Sequence, residues 1–344
     1  MMYSFNFNKS EGKQLVNHRF IQLDVFTREP FAGNPLAVFP EAEGITSEEM
    51  MKIAREMNLS ETVFVLRPDK PEGSSEGAEA PDENAGEQPT VLRRLRIFTP
   101  AQEIPFAGHP VVGTWNALAR EGIVPLPEGG NGWTRIHHEL GIGVLPVDIE
   151  FQDGVPAQVV MTQGNFTIVG EVDDGHEQAE LARALGLARE DFDENLPIQV
   201  ISTGLPFLAV PVRSLSDLRR CRVNAALLAE IYERAGSTGC YPFSRETIEI
   251  GAARAHARLF APAQNISEDP ATGSAAGALG AYLVHHGAAN VEAIDGRSKF
   301  VIEQGDFMHR PSRINLEVAG KSGFIDEVRV GGPSVVVAHG EVVF

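Results

Sequence analysis

The chain repeats itself, and this internal repetition constrains its fold more than any other feature of the sequence. Residues 98–110 (FTPAQEIPFAGHP) are echoed by residues 260–274 (FAPAQNISEDPATGS). A second echo lies upstream of each copy, where residues 21–39 are matched by residues 198–211. Both echoes occur in the same order, at offsets of about 162 and about 177 residues, which indicates a duplicated domain. Two related halves that face each other leave a cleft between them.

The length of 344 residues agrees with two domains, each large enough to bury its own core. An acidic segment rich in Gly, Ser, Ala and Pro, residues 69–89, accounts for the difference between the two offsets and has a composition typical of disorder. The first residues lack the pattern of a signal or transit peptide. We therefore predict a flexible tail at residues 1–17, a first domain of residues 18–143 with residues 331–344 returning to it, and a second domain of residues 144–330.

The charge and composition exclude several classes of function. The formal net charge of −18 is unfavourable for binding nucleic acid, which requires clustered Lys and Arg to neutralise phosphates. No apolar run approaches the roughly 20 residues that cross a bilayer. Cys221 and Cys240 are the only cysteines, which makes a disulfide framework improbable and fits a reducing cytoplasm. Cations beside Cys221 would lower the pKa of its thiol, whereas burial is the more common situation.

Hydrophobic periodicity predicts strands and helices that are segregated along the chain. Residues 46–49 (TSEE) form a capping box, which begins a helix that should end near Asn58. A strand follows at residues 61–66, and residues 256–260 read as another strand. Helices are also predicted from Pro110 and from Ser274. This arrangement favours an α+β fold in which each half is a curled, barrel-like sheet around one central helix.

Residues 98–110 and residues 260–274 both end in a glycine turn that opens a helix. Gly108 occupies this place in the first half, and Thr272 and Gly273 occupy it in the second. The first amides of a helix are unpaired and attract anions, so two such ends in one cleft would bind a carboxylate. A single turn of this kind is more often only a connection between a strand and a helix. The pairing of two at duplicated positions favours a binding site.

The two glycine turns carry different proton carriers. His109 lies in the first turn and Asp269 in the second, and a histidine with a carboxylate forms a pair that can move a proton. Glu61, at the start of a strand, is a third candidate if an apolar cleft raises its pKa. A lone histidine is more often structural, and a glutamate at a strand end is more often exposed. Glu61 has no evident counterpart in the second half.

Several motifs, taken together, resemble the phenazine-biosynthesis PhzF-like family, which shares the diaminopimelate epimerase fold. They follow the family's order from about residue 18 to the C-terminus. The most specific of them is DPATGSA at residues 269–275, together with the Gly108-His109 pair. The others are FAGNP at 31–35, SETVF at 60–64, RIFTP at 96–100, FAGHP at 106–110, GLPF at 204–207 and QGD at 304–306.

The resemblance implies an active site between two pseudo-symmetric halves, a homodimer, and catalysis without cofactor or metal. In the family's phenazine-forming member, the glutamate that matches Glu61 moves a proton between carbons of a dihydro-hydroxyanthranilate. The resemblance also implies that His109 and Asp269 line the cleft as further catalytic residues. The residues expected to bind a small carboxylate substrate or shape its site are Asn34, Gly108, Thr272, Gly273, Ser274 and Ala275.

Two alternatives to a proton-moving isomerase remain open from the sequence. A non-catalytic metabolite-binding or scaffold protein would keep the fold without chemistry. The related epimerases and racemases use one cysteine at each helix N-terminus, but Cys221 and Cys240 lie outside both glycine turns. A two-thiol racemase is therefore disfavoured. The three proton carriers Glu61, His109 and Asp269 together favour an isomerase over a binding protein.

Overall fold

The structure, a computed structural model, describes residues 16–69 and 90–344. The predicted tail and the predicted acidic insertion lie outside the described residues, apart from residues 16, 17 and 69. The strands up to the middle of the chain are β1 (Asn17–Val25), β2 (Asn34–Phe39), β3 (Glu61–Leu66), β4 (Val91–Phe98), β5 (Glu103–Ile104), β6 (Gly132–Leu140), β7 (Gly143–Gln152) and β8 (Val155–Thr162).

The remaining described elements follow the same alternation of strands and helices. The strands are β9 (Thr167–Glu171), β10 (Gln199–Ser202), β11 (Pro206–Pro211), β12 (Cys240–Ser244), β13 (Ala253–Ala257), β14 (Leu259–Ala261), β15 (Ile266–Asp269), β16 (Arg297–Gln304), β17 (Ser312–Lys321), β18 (Phe324–Gly332) and β19 (Ser334–Val343). The helices are α1 (Ser47–Met57), α2 (Gly108–Arg120), α3 (Gly175–Leu185), α4 (Leu215–Arg220), α5 (Ala225–Arg234) and α6 (Gly273–His285).

One pattern of strand pairing occurs twice, which confirms the duplication. In the first copy, β1–β2 is antiparallel, β2–β3 parallel, β3–β4 antiparallel and β4–β6 parallel. In the second copy, β10–β11, β11–β12, β12–β13 and β13–β16 repeat this order of directions. Each copy continues as an antiparallel meander, β6–β7–β8 or β16–β17–β18. The fold is therefore α+β with two pseudo-symmetric halves, as predicted.

The two halves exchange strands at their junction. β8 pairs antiparallel with β18 and makes the sheet continuous across the molecule. After β8 the chain adds β9 to the edge strand β10, and after β18 it adds β19 to the edge strand β1. The first half is thus completed by β19, which follows the last strand of the second half. The second half is completed by β9, which follows the last strand of the first half. The division into domains at residue 144, with its return of residues 331–344, stays a prediction.

A buried helix lies at the centre of each half. In α2 every residue from Gly108 to Ala119 is buried, and α6 is buried from Ala275 to Val284. A helix that is buried on all sides needs no polar face, which explains the largely apolar sequence of α6. Among the helices of the described residues, none has the length and apolar character needed to cross a bilayer.

The predicted elements differ from the observed ones mainly at their ends. Helix α1 has the predicted capping box, with Thr46 and Glu49 bonded to each other's backbone, and it ends at Asn58 in the left-handed region with φ 50°. Helix α2 begins two residues before Pro110. The strand predicted at residues 256–260 is interrupted at Arg258. Both β13 and β14 pair with β12, but the partner on their other side changes from β16 to β15.

Gly331 lies where the two halves join, and its replacement by Ala is expected to destabilise the protein by about 1–3 kcal/mol. A Cβ atom there would lie 2.3 Å from the backbone oxygen of Val159 and 2.8 Å from Cα of Val160. Because those atoms belong to the paired strand β8, they cannot rotate away. Urea unfolding measures the change. Gly175→Ala is the control, since a Cβ at Gly175 meets nothing within 4 Å, and an equal loss in both variants would contradict the explanation.

Candidate active site

The N-termini of the two central helices face each other between the halves. Helix α2 begins at Gly108 and α6 at Gly273, and neither helix has a side-chain cap on its first amides. A Cβ atom on Gly108 would lie 3.5 Å from the backbone nitrogen of Ser274 and 3.7 Å from Cα of Gly273. The glycines therefore permit the close approach of two backbones. Two positive helix ends meet here, as the sequence predicted, and their amides suit a carboxylate or a developing negative charge.

Glu61 and His109 lie beside these helix ends with their side chains in contact. Oε2 of Glu61 is 3.3 Å from Nε2 of His109, and the side chains are only 13% and 6% exposed. Neither atom has a hydrogen-bond partner among the described residues, because their approach lacks hydrogen-bond geometry. A buried polar atom without a partner costs free energy, and a hydrogen bond from a bound group removes that cost. Both atoms are therefore available to a group of a bound substrate.

Burial determines the protonation of this pair. It raises the pKa of Glu61 to about 8, with a smaller contribution in the same direction from the charge of Asp269 and an opposing one from Ser60. It lowers the pKa of His109 to about 3. At neutral pH the pair is thus a protonated carboxyl group facing a neutral imidazole. Such a carboxyl group can donate a proton and, once ionised, can accept one.

Asn34 connects the predicted proton carriers of the two halves. Its Nδ2 donates to Oδ1 of Asp269 at 2.9 Å and to the carbonyl of Ala271 at 2.8 Å, and it lies 3.4 Å from Nδ1 of His109. Its Oδ1 accepts a hydrogen bond from Oγ of Ser60 at 3.1 Å. The residue is fully buried. Asn34 is thus the bridge that places Asp269 beside the Glu61 and His109 pair.

Asp269 is held by hydrogen bonds at both of its carboxyl oxygens. Oδ1 accepts from Asn34, and Oδ2 accepts from the hydroxyl of Thr272 at 2.5 Å. Burial raises the pKa of Asp269 to about 6, and the bonds from Thr272 and Asn34 oppose this rise. Asp269 is therefore the more readily ionised of the two buried carboxyl groups in the site.

The structure brings the predicted substrate-binding residues together with the predicted proton carriers, although not all of their side chains are free. The hydroxyl of Thr272 already donates to Asp269. Its proton is therefore not free for a substrate, in contrast to what the sequence suggested. The carbonyl of Gly273 accepts from Nε2 of Gln163 at 3.0 Å. Backbone amides at the start of α6 remain the natural donors to a carboxylate. The predicted binding residues are Asn34, Gly108, Thr272, Gly273, Ser274 and Ala275.

The sequence did not indicate the residues that contact Asp269 and Thr272 on the side away from Glu61 and His109. Gln304 lies in the QGD motif, but the sequence indicates no role for it. In the structure its side chain contacts the Asp269 backbone and Thr272, and it accepts a hydrogen bond from Tyr241. No local pattern distinguishes Tyr241 from an ordinary core residue. The motif that contains Gln304 was the only available signal.

Arg310 ties the loop before Asn34 to the opposite half. Its guanidinium bonds to Asp24 at 2.6 Å and donates to the carbonyls of Gly33 at 2.8 Å and Ala32 at 2.7 Å. Asp24 is only 2% exposed. An arginine with several fixed bonds holds a loop more rigidly than a single ion pair does. This contact therefore orients the strand that carries Asn34 into the site.

The asymmetry of the site is clearest at the position equivalent to Glu61. In β2–β3, Leu36 pairs with Glu61, and in β11–β12, Leu208 pairs with Cys240. The second half therefore has a fully buried thiol here, and burial raises its pKa well above the usual range. Cys221 is also buried, which raises the pKa of its thiol to about 11 despite the nearby cations. Neither thiol lies at a helix N-terminus, so the arrangement does not suit a two-thiol racemase.

No group of three or more His, Cys, Asp or Glu side chains within residues 16–69 and 90–344 is arranged to hold a metal ion. The chemistry that the site offers rests on one protonated carboxyl group, one neutral imidazole, one hydrogen-bonded carboxyl group and two helix N-termini. Such a set can move a proton on a substrate whose negative charge the helix amides stabilise.

Comparison with known proteins places the chain in a family. The sequence profile described as Phenazine biosynthesis-like protein (PhzC-PhzF) matches residues 23–340. A trans-2,3-dihydro-3-hydroxyanthranilate isomerase from Pseudomonas aeruginosa is 33% identical over 324 residues, covering 94% of this chain and 98% of that protein. An uncharacterized isomerase from Clostridium acetobutylicum is 35% identical over 326 residues, covering 95% and 98%.

Solved structures agree with the sequence relatives. The PhzF-family protein of Bacillus anthracis superposes with a TM-score of 0.78 at 28% identity, covering 96% of this chain and all of that one. A hydroxyproline epimerase from Agrobacterium vitis shares the fold with a TM-score of 0.57 at 14% identity, covering 95% and 92%. The chain therefore belongs to the phenazine biosynthesis-like (PhzF) family and is an isomerase with the diaminopimelate epimerase-like fold.

Proposed function

We propose that the protein is a cofactor-independent isomerase that moves a proton between two carbons of a small carboxylate-bearing metabolite, with Glu61 as the acid and base. The contact between the protonated Glu61 carboxyl group and the neutral His109 imidazole, 3.3 Å apart beside two uncapped helix ends, carries this proposal. A dihydro-hydroxyanthranilate is the first substrate to test, because a relative that covers nearly the whole chain bears that activity in its name.

The chemistry is balanced within one substrate molecule. The Glu61 carboxyl group gives its proton to a carbon at one end of a conjugated system, and the double bonds shift by one position. The resulting carboxylate then takes a proton from another carbon, which restores Glu61 and leaves an isomer. His109 and Asp269 assist as polar neighbours, and the amides of Gly108 and residues 273–275 hold the carboxylate of the substrate.

The test is incubation of the protein with trans-2,3-dihydro-3-hydroxyanthranilate in D₂O, followed by mass spectrometry and NMR. We expect an isomer that carries deuterium at one carbon, because the carboxyl proton of Glu61 exchanges with solvent between turnovers. Other small unsaturated carboxylates form the second arm. Binding without turnover or exchange for every compound would contradict the isomerase proposal and favour a metabolite-binding protein. A homodimer and a cytoplasmic location remain predictions from the sequence.

A further inference from the structure

We propose that Gln304, oriented by Tyr241, is a positioning residue that keeps Oδ2 of the Asp269 carboxylate as an acceptor and thereby leaves the transferable proton of the site on Glu61. The inference rests on the proposed role of Glu61. It assigns a function to two residues that lie behind the site and do not touch the reacting atoms. A chain of hydrogen bonds connects Tyr241 and Gln304 to Asp269 through Thr272.

The first step is the orientation of the Gln304 amide, which two backbone groups determine. Its Nε2 lies 2.7 Å from the carbonyl oxygen of Asp269, which can only accept. Its Oε1 lies 3.2 Å from the backbone nitrogen of Thr272, which can only donate. A flipped amide would place oxygen against oxygen and N–H against N–H. The Tyr241 hydroxyl, 2.8 Å from Oε1, therefore donates to Gln304.

The second step follows at the hydroxyl of Thr272. Gln304 Nε2 lies 3.1 Å from Thr272 Oγ1 and donates to it. The Gln304 bond leaves the one proton of the Thr272 hydroxyl free to donate, and the acceptor it meets is Oδ2 of Asp269, 2.5 Å away. The chain therefore runs from Tyr241 through Gln304 and Thr272 to Asp269, with each group donating to the next.

The third step concerns the proton shared by the two buried carboxyl groups. The other oxygen of Asp269 accepts from Asn34, so a proton on Asp269 would displace one of its donors. The titratable groups near Asp269 are Glu61, Glu268 and Tyr241, with His109 reached through Asn34. Glu268 is already bound by Arg258 at 2.7 and 2.8 Å. Oε2 of Glu61 has no partner among the described residues, so the proton lies there at least cost.

Tyr241 and Gln304 are buried behind the site. Both side chains are essentially inaccessible to solvent. All four hydrogen-bonding positions of the Gln304 amide are used, two as donors and two as acceptors. A completely satisfied buried amide holds its neighbours in one arrangement, and the loss of one partner weakens the whole chain.

The experiment compares Tyr241→Phe and Gln304→Met with Tyr232→Phe. Tyr232 is an equally buried tyrosine whose hydroxyl also donates to a glutamine, Oε1 of Gln264 at 3.0 Å, but this pair is not among the described hydrogen-bond partners of Asp269. Carboxyl ¹³C NMR of protein labelled at Asp and Glu follows the titration of Asp269 and Glu61 without any substrate. Circular dichroism checks the fold, and turnover of trans-2,3-dihydro-3-hydroxyanthranilate gives a second readout.

We expect the titration midpoint of Asp269 to rise by about half a pH unit in Tyr241→Phe and by about one unit in Gln304→Met. The midpoint of Glu61 should fall correspondingly, and kcat should decrease about three- to tenfold with a shifted pH profile and an unchanged KM. Tyr232→Phe should move neither midpoint. Unchanged midpoints in both folded variants, or a lower kcat with the wild-type pH profile, would overturn the inference. Shifted midpoints without turnover by any variant or the wild type would overturn the proposed function alone.

Discussion

Replacement of Glu61 by Gln is expected to lower kcat by about a thousandfold, because an amide of the same size can neither give nor take the transferred proton. The assay is turnover of trans-2,3-dihydro-3-hydroxyanthranilate, or of whichever carboxylate the exchange experiment identifies. Binding should survive the substitution. Calorimetric titration with 3-hydroxyanthranilate, which keeps the polar groups of that compound in an aromatic ring, should give a similar Kd for both proteins.

Glu103→Gln is the matched control for this prediction. Glu103 also begins a strand in the same half, but it is exposed and bonds to Arg96 at the surface. Exposed ion pairs contribute little, so this variant should keep activity within about twofold. Activity of Glu61→Gln within tenfold of the wild type, at unchanged binding, would show that another group transfers the proton. His109 would then be the next candidate.

The second large effect is on stability as a function of pH. The folded-state pKa of Glu61, about 8, lies above its ordinary value of 4.5, so the folded protein binds more protons than the unfolded chain between these values. The stabilisation from the protonated form is complete below pH 4.5 and is lost as the pH rises to 8. The loss amounts to at most about 5 kcal/mol, since one pKa unit corresponds to about 1.4 kcal/mol.

Two neighbouring residues, Asp269 and His109, also make the stability depend on pH, each over its own pH range. Asp269, raised from 3.8 to about 6, acts in the same direction between these values. His109, lowered from 6.5 to about 3, acts oppositely, because its buried neutral form is favoured above pH 6.5 and stability falls as the pH drops to 3. The difference between Glu61→Gln and wild type contains the Glu61 contribution and its coupling to Asp269, because the variant keeps both neighbours.

The measurement is urea unfolding of both proteins at pH 4.5, 6, 7 and 9. The free energy of unfolding of Glu61→Gln should exceed that of the wild type by an amount that grows up to pH 8 and is then constant. Above pH 8 the variant should be several kcal/mol more stable. Parallel curves over the whole range would mean that Glu61 is ionised and solvated in the folded protein. A higher stability together with a lost activity would be the expected compromise of a buried catalytic group.

Much of the fold could be predicted from neighbouring residues. The capping box at Thr46 and Glu49, and the left-handed Asn58, bound α1 because cap hydrogen bonds join residues three or four apart. The duplicated motifs likewise predicted the two central helices and the two halves. The predictions that were wrong concern the ends of elements. Helix α2 begins at Gly108 and not at Pro110, and the strand predicted at residues 256–260 is divided where its sheet partner changes.

The candidate site was predictable in its membership but not in its arrangement. The glycine turns and Glu61 stand out because their residue types suit helix starts and proton transfer. Asn34 and Asp269, by contrast, are 235 residues apart and meet through one hydrogen bond of 2.9 Å. Gln304 and Tyr241 are 63 residues apart, and their bond has no signature in the local sequence.

The sequence by itself thus determined the family and the duplicated topology and predicted the proton carriers, since these depend on local pattern and repetition. Only the tertiary structure decided which carboxyl group holds the proton. Protonation depends on burial and on the direction of hydrogen bonds, and both are set by residues that are distant along the chain. Glu61 is protonated because it is buried with an unpartnered oxygen, and Asp269 is an acceptor because donors from both halves converge on it.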